Sequence, residues 1–559
     1  MTRPFQTWLA AAGYGLLAIT GTGFAQEQPA ASVQAPLPLA PQVKGARPQS
    51  DASVLAPAST KLDPSLQNLA APATLALPNK PDQVRIAELR PLSLKDVENL
   101  AEVNNPNLKA IASQVDQAQS QLRTEIAAWY PSLSVSANNL PAYTGGNQRI
   151  TSPTNSALTG NTIQKDYTYT SRWDMAGQLS AQWDLINPQR VPQIAAARDQ
   201  FEQSKNQYLI ALRELRLQAA QAYFQLQLSD DTVRIGQESV RASLVSLRDA
   251  RARFQAGVAT KLEVLEAETQ LARDQQLLTN SLADQSIARR NLARLLDLPQ
   301  NVSPTAKEPL RPLGVWTPSL QESVIAAYAF REELDNALLD ISAANSQANS
   351  ALGAVQPFLS IFNTLSGFRY QGTENVLVDL KGRSGWAVEN AVGLQANWNI
   401  FDGGAARAQY RQAKQRAQEN SFRFATTRDT LRFEVEESFY ELRQSSRNIQ
   451  TTSREVLSSR ESLRLARLRF QAGVSTQREV VDNQRDLTQA EVRYAQALAQ
   501  YNSSLASLRR RTGLDQVAVC QPPSLGSTKP VIDDLENVPV PPEPLQPACQ
   551  VAAAAQPAS

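Results

Sequence analysis

The sequence predicts a mainly α-helical protein with four β-strands, built from two copies of one helix–strand–strand–helical-hairpin unit. Three observations lead to this prediction: a motif that occurs twice, segments whose apolar period switches from helical to alternating, and two helical stretches too long for a globular core. The motif Arg253–Val258 (RFQAGV) recurs as Arg469–Val474, an offset of 469 − 253 = 216 residues. Structural repeats of solenoids are only ~20–50 residues long. The offset therefore indicates a duplicated half-molecule.

The same offset relates other segments of the two halves. Tyr223–Leu226 (YFQL) corresponds to Phe439–Leu442 (FYEL), again 216 residues later, and Trp183–Ile186 corresponds to Trp398–Phe401 at an offset of 215. Any function proposed for one half must therefore take account of the other. We divide the chain into a first repeat over residues 91–300, a connector over 301–317 and a second repeat over 318–515.

The two ends of the chain lie outside the repeats. Residues 1–25 have the pattern of a secretory signal peptide, with Arg3, an apolar stretch from Trp8 to Ile19 and a small-x-small cleavage site ending at Ala25. The alternative, a short N-terminal anchor helix, is disfavoured because the apolar stretch is shorter than the ~20 residues of a membrane span. Residues 26–90 are rich in proline and alanine and are predicted to be a flexible linker. Residues 516–559 form a proline-rich tail.

The composition excludes several classes of function. The 55 basic and 53 acidic residues nearly cancel, which gives no electrostatic case for binding nucleic acid. Histidine is absent and only two cysteines occur, so we predict no metal site, no cofactor and no enzymatic activity. Beyond the signal there is no run of ~18 apolar residues. The exported protein is therefore either soluble or inserted into a membrane as a β-barrel.

In the first repeat, Ser93 is the predicted N-cap of a helix that runs to Trp129, with a kink or break at Pro106. After Pro131 the period changes to two. A loop rich in glycine, asparagine, threonine and serine is predicted from Tyr143 to Thr170. A second strand follows, and its apolar face comprises Leu179, Ala181, Trp183 and Leu185.

A helix is then predicted from Pro188 to Ala256, with a weak interruption at Ser229–Asp231. Its ~69 residues would span ~100 Å. An apolar heptad stripe predicts a coiled-coil seam, formed by Tyr208, Leu212, Leu215, Ala219, Ala222 and Leu226. The chain reverses at Gly257–Thr260, and the returning helix has its own seven-residue grid, formed by Val264, Leu271, Leu278 and Leu292. The two helices are predicted to form an antiparallel coiled-coil hairpin.

The second repeat follows the same order. Pro318–Leu320 begins its first helix, and Arg331–Leu334 stands where Asn105–Leu108 stood. Pro357 precedes a strand, a loop is predicted from about Tyr370 to Trp386, and Phe401–Gly404 turns from the last strand into the second long helix. The seam of the second hairpin comprises Leu431, Val435, Ser438 and Leu442 on one helix and Val480, Leu487, Tyr494, Tyr501 and Leu508 on the other.

Four strands cannot close a membrane barrel, for which about eight is the minimum. The edges of the sheet must therefore be satisfied by other chains. The long helices also lack enough partners within one chain. Oligomerisation would answer both needs.

The ordered, duplicated set of motifs over Leu92–Leu514 resembles the TolC-type outer-membrane efflux proteins. The resemblance is carried by Asn105–Leu108 within the first helical region, Pro131 before the strand, Trp398–Gly404 after the last strand, and the twice-used Arg-Phe-Gln-Ala-Gly-Val reversal. The chain departs from the family pattern at Trp183–Pro188, which lacks Phe-Asp-Gly-Gly, and at Arg331–Leu334, which lacks the usual proline. The proline-rich linker is also unusual for the family.

The resemblance implies a mainly α-helical homotrimer with a membrane β-barrel of 12 strands in the outer membrane, continued by a long α-helical barrel in the periplasm. A periplasmic adaptor and an inner-membrane transporter are the implied partners, with outer-membrane lipid around the barrel. The implied function is a passive exit duct of a tripartite efflux or type I secretion system. The alternative is an exported coiled-coil structural or surface protein without channel activity. A periplasmic adaptor would have neither a duplicated hairpin nor four strands.

The resemblance also implies roles for particular residues. The reversals Ala256, Gly257, Val258 and Ala472, Gly473, Val474 resemble the adaptor-contact tips of the family, although a glycine there also simply permits a tight turn. Just beyond them lie two pairs of acids spaced i, i+3, namely Glu263 with Glu266 and Glu479 with Asp482. Glu479 and Asp482 match the acids of the family's luminal constriction, where a trimer would form rings that favour cations. The alternative is a solvated face whose acids pair with Lys261, Arg478 or Arg485.

Two cysteines, Cys520 and Cys549, lie in the tail. They could form a disulfide in an oxidising periplasm, or remain unpaired thiols. Trp183 and Trp398 end the apolar strand faces. They are either aromatics of a membrane interface or core residues where strands meet helices.

Overall fold

A computed structural model describes residues 61–156, 160–374 and 383–514 of the chain. The signal peptide, residues 26–60 of the linker, the tail and both cysteines lie outside the described residues. After a 3-10 helix (Pro64–Leu69), the first half contains α1 (Pro81–Val84), β1 (Glu88–Leu92), α2 (Leu94–Asn104), α3 (Pro106–Ala127), β2 (Ser132–Ser156), β3 (Gly160–Ile186), α4 (Arg190–Gln255) and α5 (Lys261–Leu295). The second half contains β4 (Val302–Ala306), α6 (Leu320–Phe330), α7 (Glu332–Gly353), β5 (Phe358–Glu374), β6 (Arg383–Asn397), α8 (Ala405–Gln471) and α9 (Gln477–Thr512).

The four predicted strands form one antiparallel sheet in the order β2-β3-β5-β6. Two of the loop predictions are wrong. The segment from Tyr143 to Thr170 is strand as far as Ser156 and again from Gly160, because β2 and β3 are paired along their length apart from a register shift between Asn138 and Ala142. The predicted loop from about Tyr370 to Trp386 is likewise strand as far as Glu374 and again from Arg383. Backbone hydrogen bonds between adjacent strands do not require apolar side chains, so a polar composition did not end the strands.

The two faces of this sheet differ in polarity. Cross-strand register places most of its exposed apolar side chains on one face, with Phe368 as an exception, and those on that face include Leu133, Val135, Leu179, Leu365, Val388, Val392 and Leu394. The opposite face of β2 and β3 carries Ser132, Ser134, Ser136, Gln178, Ser180 and Gln182. The aromatic pair Tyr143 and Trp173, with ring centroids 5.2 Å apart, lies on the apolar face. An apolar face exposed over this length marks a surface of contact with a membrane or with another protein.

The two long helices have nearly the predicted lengths, 66 residues in α4 and 67 in α8. The interruption predicted at Ser229–Asp231 is absent, and α4 is continuous there. The polar side chains of this stretch have partners. The Ser229 hydroxyl donates to the Gln225 carbonyl at 2.8 Å, and Asp230 accepts a 2.7 Å hydrogen bond from Gln285 of α5.

The predicted seams are the cores of the two hairpins. Of the first stripe, Leu212, Leu215, Ala219 and Leu226 are buried, and Tyr208 and Ala222 pack against the same cluster. The matching residues of α8 are all buried, namely Leu431, Val435, Ser438 and Leu442. The heptad pattern therefore identified the packed faces of both long helices.

Two 22-residue helices, α3 and α7, each begin where a hairpin helix ends. Pro106 breaks the helix rather than bending it, because the Asn105 side chain accepts the Leu108 N–H at 3.1 Å and so caps α3. The Asn105 amide also donates to the Leu295 carbonyl at the end of α5, at 2.9 Å. In the second half, α7 begins where α9 ends, and Arg510 reaches Glu333 at 3.0 Å.

The helices consequently lie side by side in a regular order. Near the sheet the order is α3–α4–α7–α8, and toward the hairpin ends it is α5–α4–α9–α8. Each strand of the sheet is directly connected in sequence to one helix of the row near the sheet, α3–α4–α7–α8. The turn from β6 into α8 is held by Asp402, whose carboxylate accepts the N–H groups of Gly404 and Ala406 at 2.8 and 2.7 Å.

The structure differs from the predicted flexible linker over residues 61–90. Leu66 and Leu69 of the 3-10 helix are buried in the same core as α2 and α4. The Asn104 amide of α2 donates to the Leu69 carbonyl at 2.8 Å. Strand β1 pairs in parallel with β4, which lies in the predicted connector, through the register Glu88–Val302 to Leu92–Ala306. These contacts join the start of the first repeat to its end.

Among the helices that the structure describes, none combines the length and the apolar character that a membrane span requires.

Candidate functional site

The two hairpin tips have the same backbone structure. Gly257 and Gly473 have φ values of +74° and +75°, in the left-handed region that favours glycine. Val258 donates its N–H to the Arg253 carbonyl and Val474 to the Arg469 carbonyl, both at 3.0 Å. This bonding ends a helix in a Schellman motif. Glycine is needed for the backbone conformation and not for space, since no atom outside the turn would contact an added Cβ.

The outermost side chains of both tips are apolar and open to solvent. Val258 is 69% exposed and Val474 is 67% exposed, and they directly follow the two glycines. Ala256 and Ala472 are the C-cap residues of α4 and α8. The predicted tip residues therefore form two equivalent, solvent-exposed turns at one end of the helices.

The two tips contact each other within one chain. The Arg253 guanidinium of α4 lies 4.2 Å from the centroid of the Phe470 ring of α8. The Gln477 amide of α9 donates to the Ser246 hydroxyl of α4, and the Ser239 and Thr488 hydroxyls lie 3.2 Å apart. The boundary between the hairpins is thus formed by α4 and α9, with the arginine–aromatic contact at its end.

The second pair of predicted gate acids lies among arginines. Glu479 accepts a 2.7 Å bond from Arg469 and a further bond from the Ser475 hydroxyl. Asp482 lies 3.3 Å from Arg485 and 4.0 Å from Arg478. Two of the arginines proposed as alternative partners are therefore beside Asp482 in the single chain.

The first pair of acids has different surroundings. Glu263 belongs to a capping box with Thr260, whose N–H donates to the Glu263 carboxylate at 3.3 Å. Glu266 lies 3.9 Å from Arg478 of the other hairpin. Glu266, Arg478 and Asp482 thus form a charged group across the boundary between the hairpins, whereas Glu263 stabilises the start of α5.

Trp183 and Trp398 have equivalent roles at the junction of sheet and helices. The Trp183 indole N–H donates to the Trp129 carbonyl at 3.0 Å, two residues after the end of α3. The Trp398 indole donates to the Val355 carbonyl at 3.1 Å, two residues after the end of α7. Each tryptophan therefore links the end of one strand to the end of the helix before the neighbouring strand.

A buried ionic cluster lies where α7, α8 and α9 meet α4. Arg213 of α4 and Glu332 of α7, whose side chains are 0% and 2% exposed, are paired at 2.9 Å. Arg331 pairs with Glu333 at 2.7 Å and with Glu434 of α8 at 2.6 Å. The cluster is completed by two arginines near the end of α9, Arg510 and Arg511.

The pKa values of the two adjacent glutamates of this cluster are shifted in opposite directions. Burial raises the pKa of Glu332 to about 7, although Arg213 acts against this shift. Glu333 is also penalised by burial, but hydrogen bonds and charge from Arg331, with a contribution from Arg510, bring its pKa down to about 2. Glu332 can therefore change its charge near neutral pH.

A family model described as outer membrane efflux protein matches residues 97–297 and 326–514, more than half of the chain. The chain belongs to the outer membrane efflux protein family. The two matched segments correspond to the two repeats. The resemblance to TolC-type proteins is thereby confirmed, and with it the outer membrane as the location, the helical part extending into the periplasm.

Solved structures share the fold of this efflux protein. A structure titled for the conformational changes of CusC on folding and transmembrane channel formation has a TM-score of 0.60 at 19% identity, over 82% of this chain and 99% of that one. The open state of the MtrE outer membrane channel of Neisseria gonorrhoeae gives 0.55 at 18%, over 85% and 98%. The outer membrane protein VceC of Vibrio cholerae gives 0.57 at 16%, over 75% and 96%. No curated protein matches the sequence.

The buried ionic cluster of this efflux protein was not predicted from the sequence. A signal for it exists at the helix break, where the neutral Asn105-Pro106-Asn107 of the first repeat is replaced by the charged Arg331-Glu332-Glu333. Three consecutive charges between two apolar helices indicate a buried network or an exposed turn, and sequence alone does not separate these. The partners Arg213 and Glu434 lie more than 100 residues away on other helices.

Proposed function

We propose that three copies of this efflux protein form an outer-membrane channel with a 12-stranded β-barrel and a periplasmic helical barrel. The observation that carries the proposal is the matching pair of open edges. Within the described residues, β2 and β6 are edge strands of the sheet, and α8 ends both helix rows on the same side as β6. A second chain would pair its β2 with β6 and place its α3 and α5 beside α8.

The open side of α8 has the side chains of a packing surface. Phe422, Phe433 and Tyr440 are exposed large aromatics on this helix. Their spacings of 11 and 7 residues correspond to nearly whole numbers of helical turns, which keeps the three on one face. Burying them against a neighbouring chain would remove apolar area from water and stabilise the trimer.

The polarity of the sheet supports a duct through the membrane. In a closed barrel the apolar face would contact lipid, and the face with Ser134, Ser180 and Gln182 would line a water-filled interior. Such an interior has no chemistry of its own and allows passive passage. The channel would be an exit duct for efflux or type I secretion, opened by a periplasmic adaptor and an inner-membrane transporter at the exposed Val258 and Val474 tips.

The trimer is tested by the mass of the protein in detergent. We expect light scattering, corrected for bound detergent, to give three times the mass of the mature chain. Planar bilayers containing this protein should show discrete single-channel conductance steps. A stable monomer or dimer would contradict the architecture. A trimer without conductance would leave an exported structural protein as the function.

We further propose that Glu479 and Asp482 form the cation-selective constriction of this channel. Three copies would place six carboxylates around the narrow periplasmic end, where their fields add. The double variant Glu479→Ala/Asp482→Ala should therefore lose cation preference and be blocked less strongly by multivalent cations added on the periplasmic side. Reversal potentials in a salt gradient measure this change.

The matched control for the gate is Glu455→Ala/Glu461→Ala. It removes the same charge from α8, further from the tips, where both acids pair with exposed arginines. We expect this control to keep the selectivity and the block of the unmodified channel. Equal effects in the two double variants, or no effect in either, would assign Glu479 and Asp482 to a solvated outer face.

A further inference from the structure

The internal duplication makes each contact between the two hairpins of one chain a template for a contact between chains. Hairpin one (α4 and α5) meets hairpin two (α8 and α9) through α4 and α9. The repeat equivalents of α4 and α9 are α8 and α5, which are the helices at the open edges of the row. If hairpins alternate around a ring, hairpin two of one chain meets hairpin one of the next through these two helices.

One side-chain contact at the tips can be transferred directly. Within the chain, Arg253 at the end of α4 stacks on Phe470 at the end of α8. The repeat offset of 216 converts Arg253 into Arg469 and Phe470 into Phe254. Both equivalents have the same residue types, and both lie in the same turn of a Schellman-capped helix end.

In the single chain the equivalent pair does not form. Phe254 is 46% exposed, and Arg469 is bonded to Glu479 on its own hairpin. The ion pair of Arg469 is itself exposed, with side chains 58% and 34% accessible. Exposed ion pairs and exposed cation–π contacts are both weak and similar in strength. Arg469 can therefore exchange one partner for the other at little cost.

We propose that Arg469 of each protomer stacks on Phe254 of the next, so that six arginine–phenylalanine contacts, three within chains and three between chains, link the ring of tips. This inference rests on the proposed trimer. It assigns the Arg-Phe part of the repeated motif to contacts between neighbouring tips, which explains why both residues occur twice. It also releases Glu479 from Arg469, which removes a neutralising cation from beside the proposed gate acid.

Site-directed crosslinking in the full chain tests the exchange. In a background with Cys520 and Cys549 replaced by serine, the variant Phe254→Cys/Arg469→Cys is treated with a short homobifunctional methanethiosulfonate reagent. We expect a covalent trimer on a denaturing gel, reversed by reductant. The matched pair Arg253→Cys/Phe470→Cys should react within one chain and stay at monomer mass, and each single-cysteine variant should also stay at monomer mass.

The native mass, measured before crosslinking, separates this inference from the proposed trimer. If the native protein is trimeric and the Arg253/Phe470 pair reacts, but the Phe254/Arg469 pair gives only monomer, the inferred contact is wrong. Covalent trimers in single-cysteine variants at the same yield would equally overturn it, since they would indicate random collision. A native mass below three chains would contradict the trimer itself.

Discussion

Replacing Arg213 with methionine is expected to lower the free energy of unfolding by about 3–5 kcal/mol, the loss found when one member of a buried ion pair is removed. Arg213 is completely buried, and its partner Glu332 is almost completely buried. Methionine is long enough to fill part of the same space but carries no charge. The variant therefore leaves the Glu332 carboxylate in the core without its closest cation, and the loss should be larger at pH 8 than at pH 5.

Unfolding in guanidinium, followed by the helical circular dichroism signal, measures this loss. The double variant Arg213→Met/Glu332→Gln should recover most of the stability, because neither side chain then needs a counter-charge. Arg432→Met is the surface control, since Arg432 forms an exposed pair with Glu436 and its removal should leave the unfolding midpoint unchanged. An equal loss in the single and double variants would show that shape, not charge, determines the role of Arg213.

The unmodified protein is expected to lose stability as the pH rises from 5 to 8. Burial raises the pKa of Glu332 to about 7 in the folded state, against 4.5 as its ordinary value. The folded protein therefore holds this proton more tightly than the unfolded chain, and the resulting stability is lost as the pH rises through 7. A difference of this size corresponds to about 3 kcal/mol.

Two features assign the expected loss of stability between pH 5 and 8 to Glu332. The chain contains no histidine, so no imidazole titrates between pH 5 and 8. The neighbouring Glu333 has its pKa lowered to about 2, and its stabilising effect is complete above 4.5 and lost only at lower pH. The groups that face Glu332 across the cluster are the cations Arg213 and Arg510.

Unfolding midpoints measured at half-unit pH intervals test this expectation, with Glu332→Gln as the comparison. The variant should show a nearly flat profile from pH 5 to 8 while the unmodified protein declines. If both proteins decline with the same slope, another group is responsible for the pH dependence and Glu332 is ionised throughout the window.

The parts of the fold that could be predicted from the sequence depend on local spacing. The seam residues from Leu212 to Leu226 recur every three or four positions, and the helix period determines which face they share. The tips were recognisable because Gly257 and Gly473 each follow an arginine-phenylalanine pair at the same distance. Duplication strengthened both predictions, since every element had to occur twice.

The parts that could not be predicted depend on distant partners. Tyr143 and Trp173 are 30 residues apart, and the strands that carry them have few apolar residues, so only their pairing reveals them. Strand β1 is defined by β4, more than 200 residues later. Glu479 is a further example, because whether it faces a lumen depends on the neighbouring chains of the proposed trimer and not on local spacing.

The end-to-end arrangement of short helices has a mechanical consequence. At the level of Asn105 and Arg331, α5 gives way to α3 and α9 to α7, and of these described helices only α4 and α8 continue across. Bending load at that level would therefore be carried by two continuous helices instead of four, and we expect this level to be the most compliant part of the helical rows. The β1–β4 pair and the ionic cluster lie near the same two breaks, where we expect them to resist shear between the helices. We expect a force applied at the tips to rotate the tip-side parts of the two hairpins about the level of Asn105 and Arg331, and to leave the sheet in place.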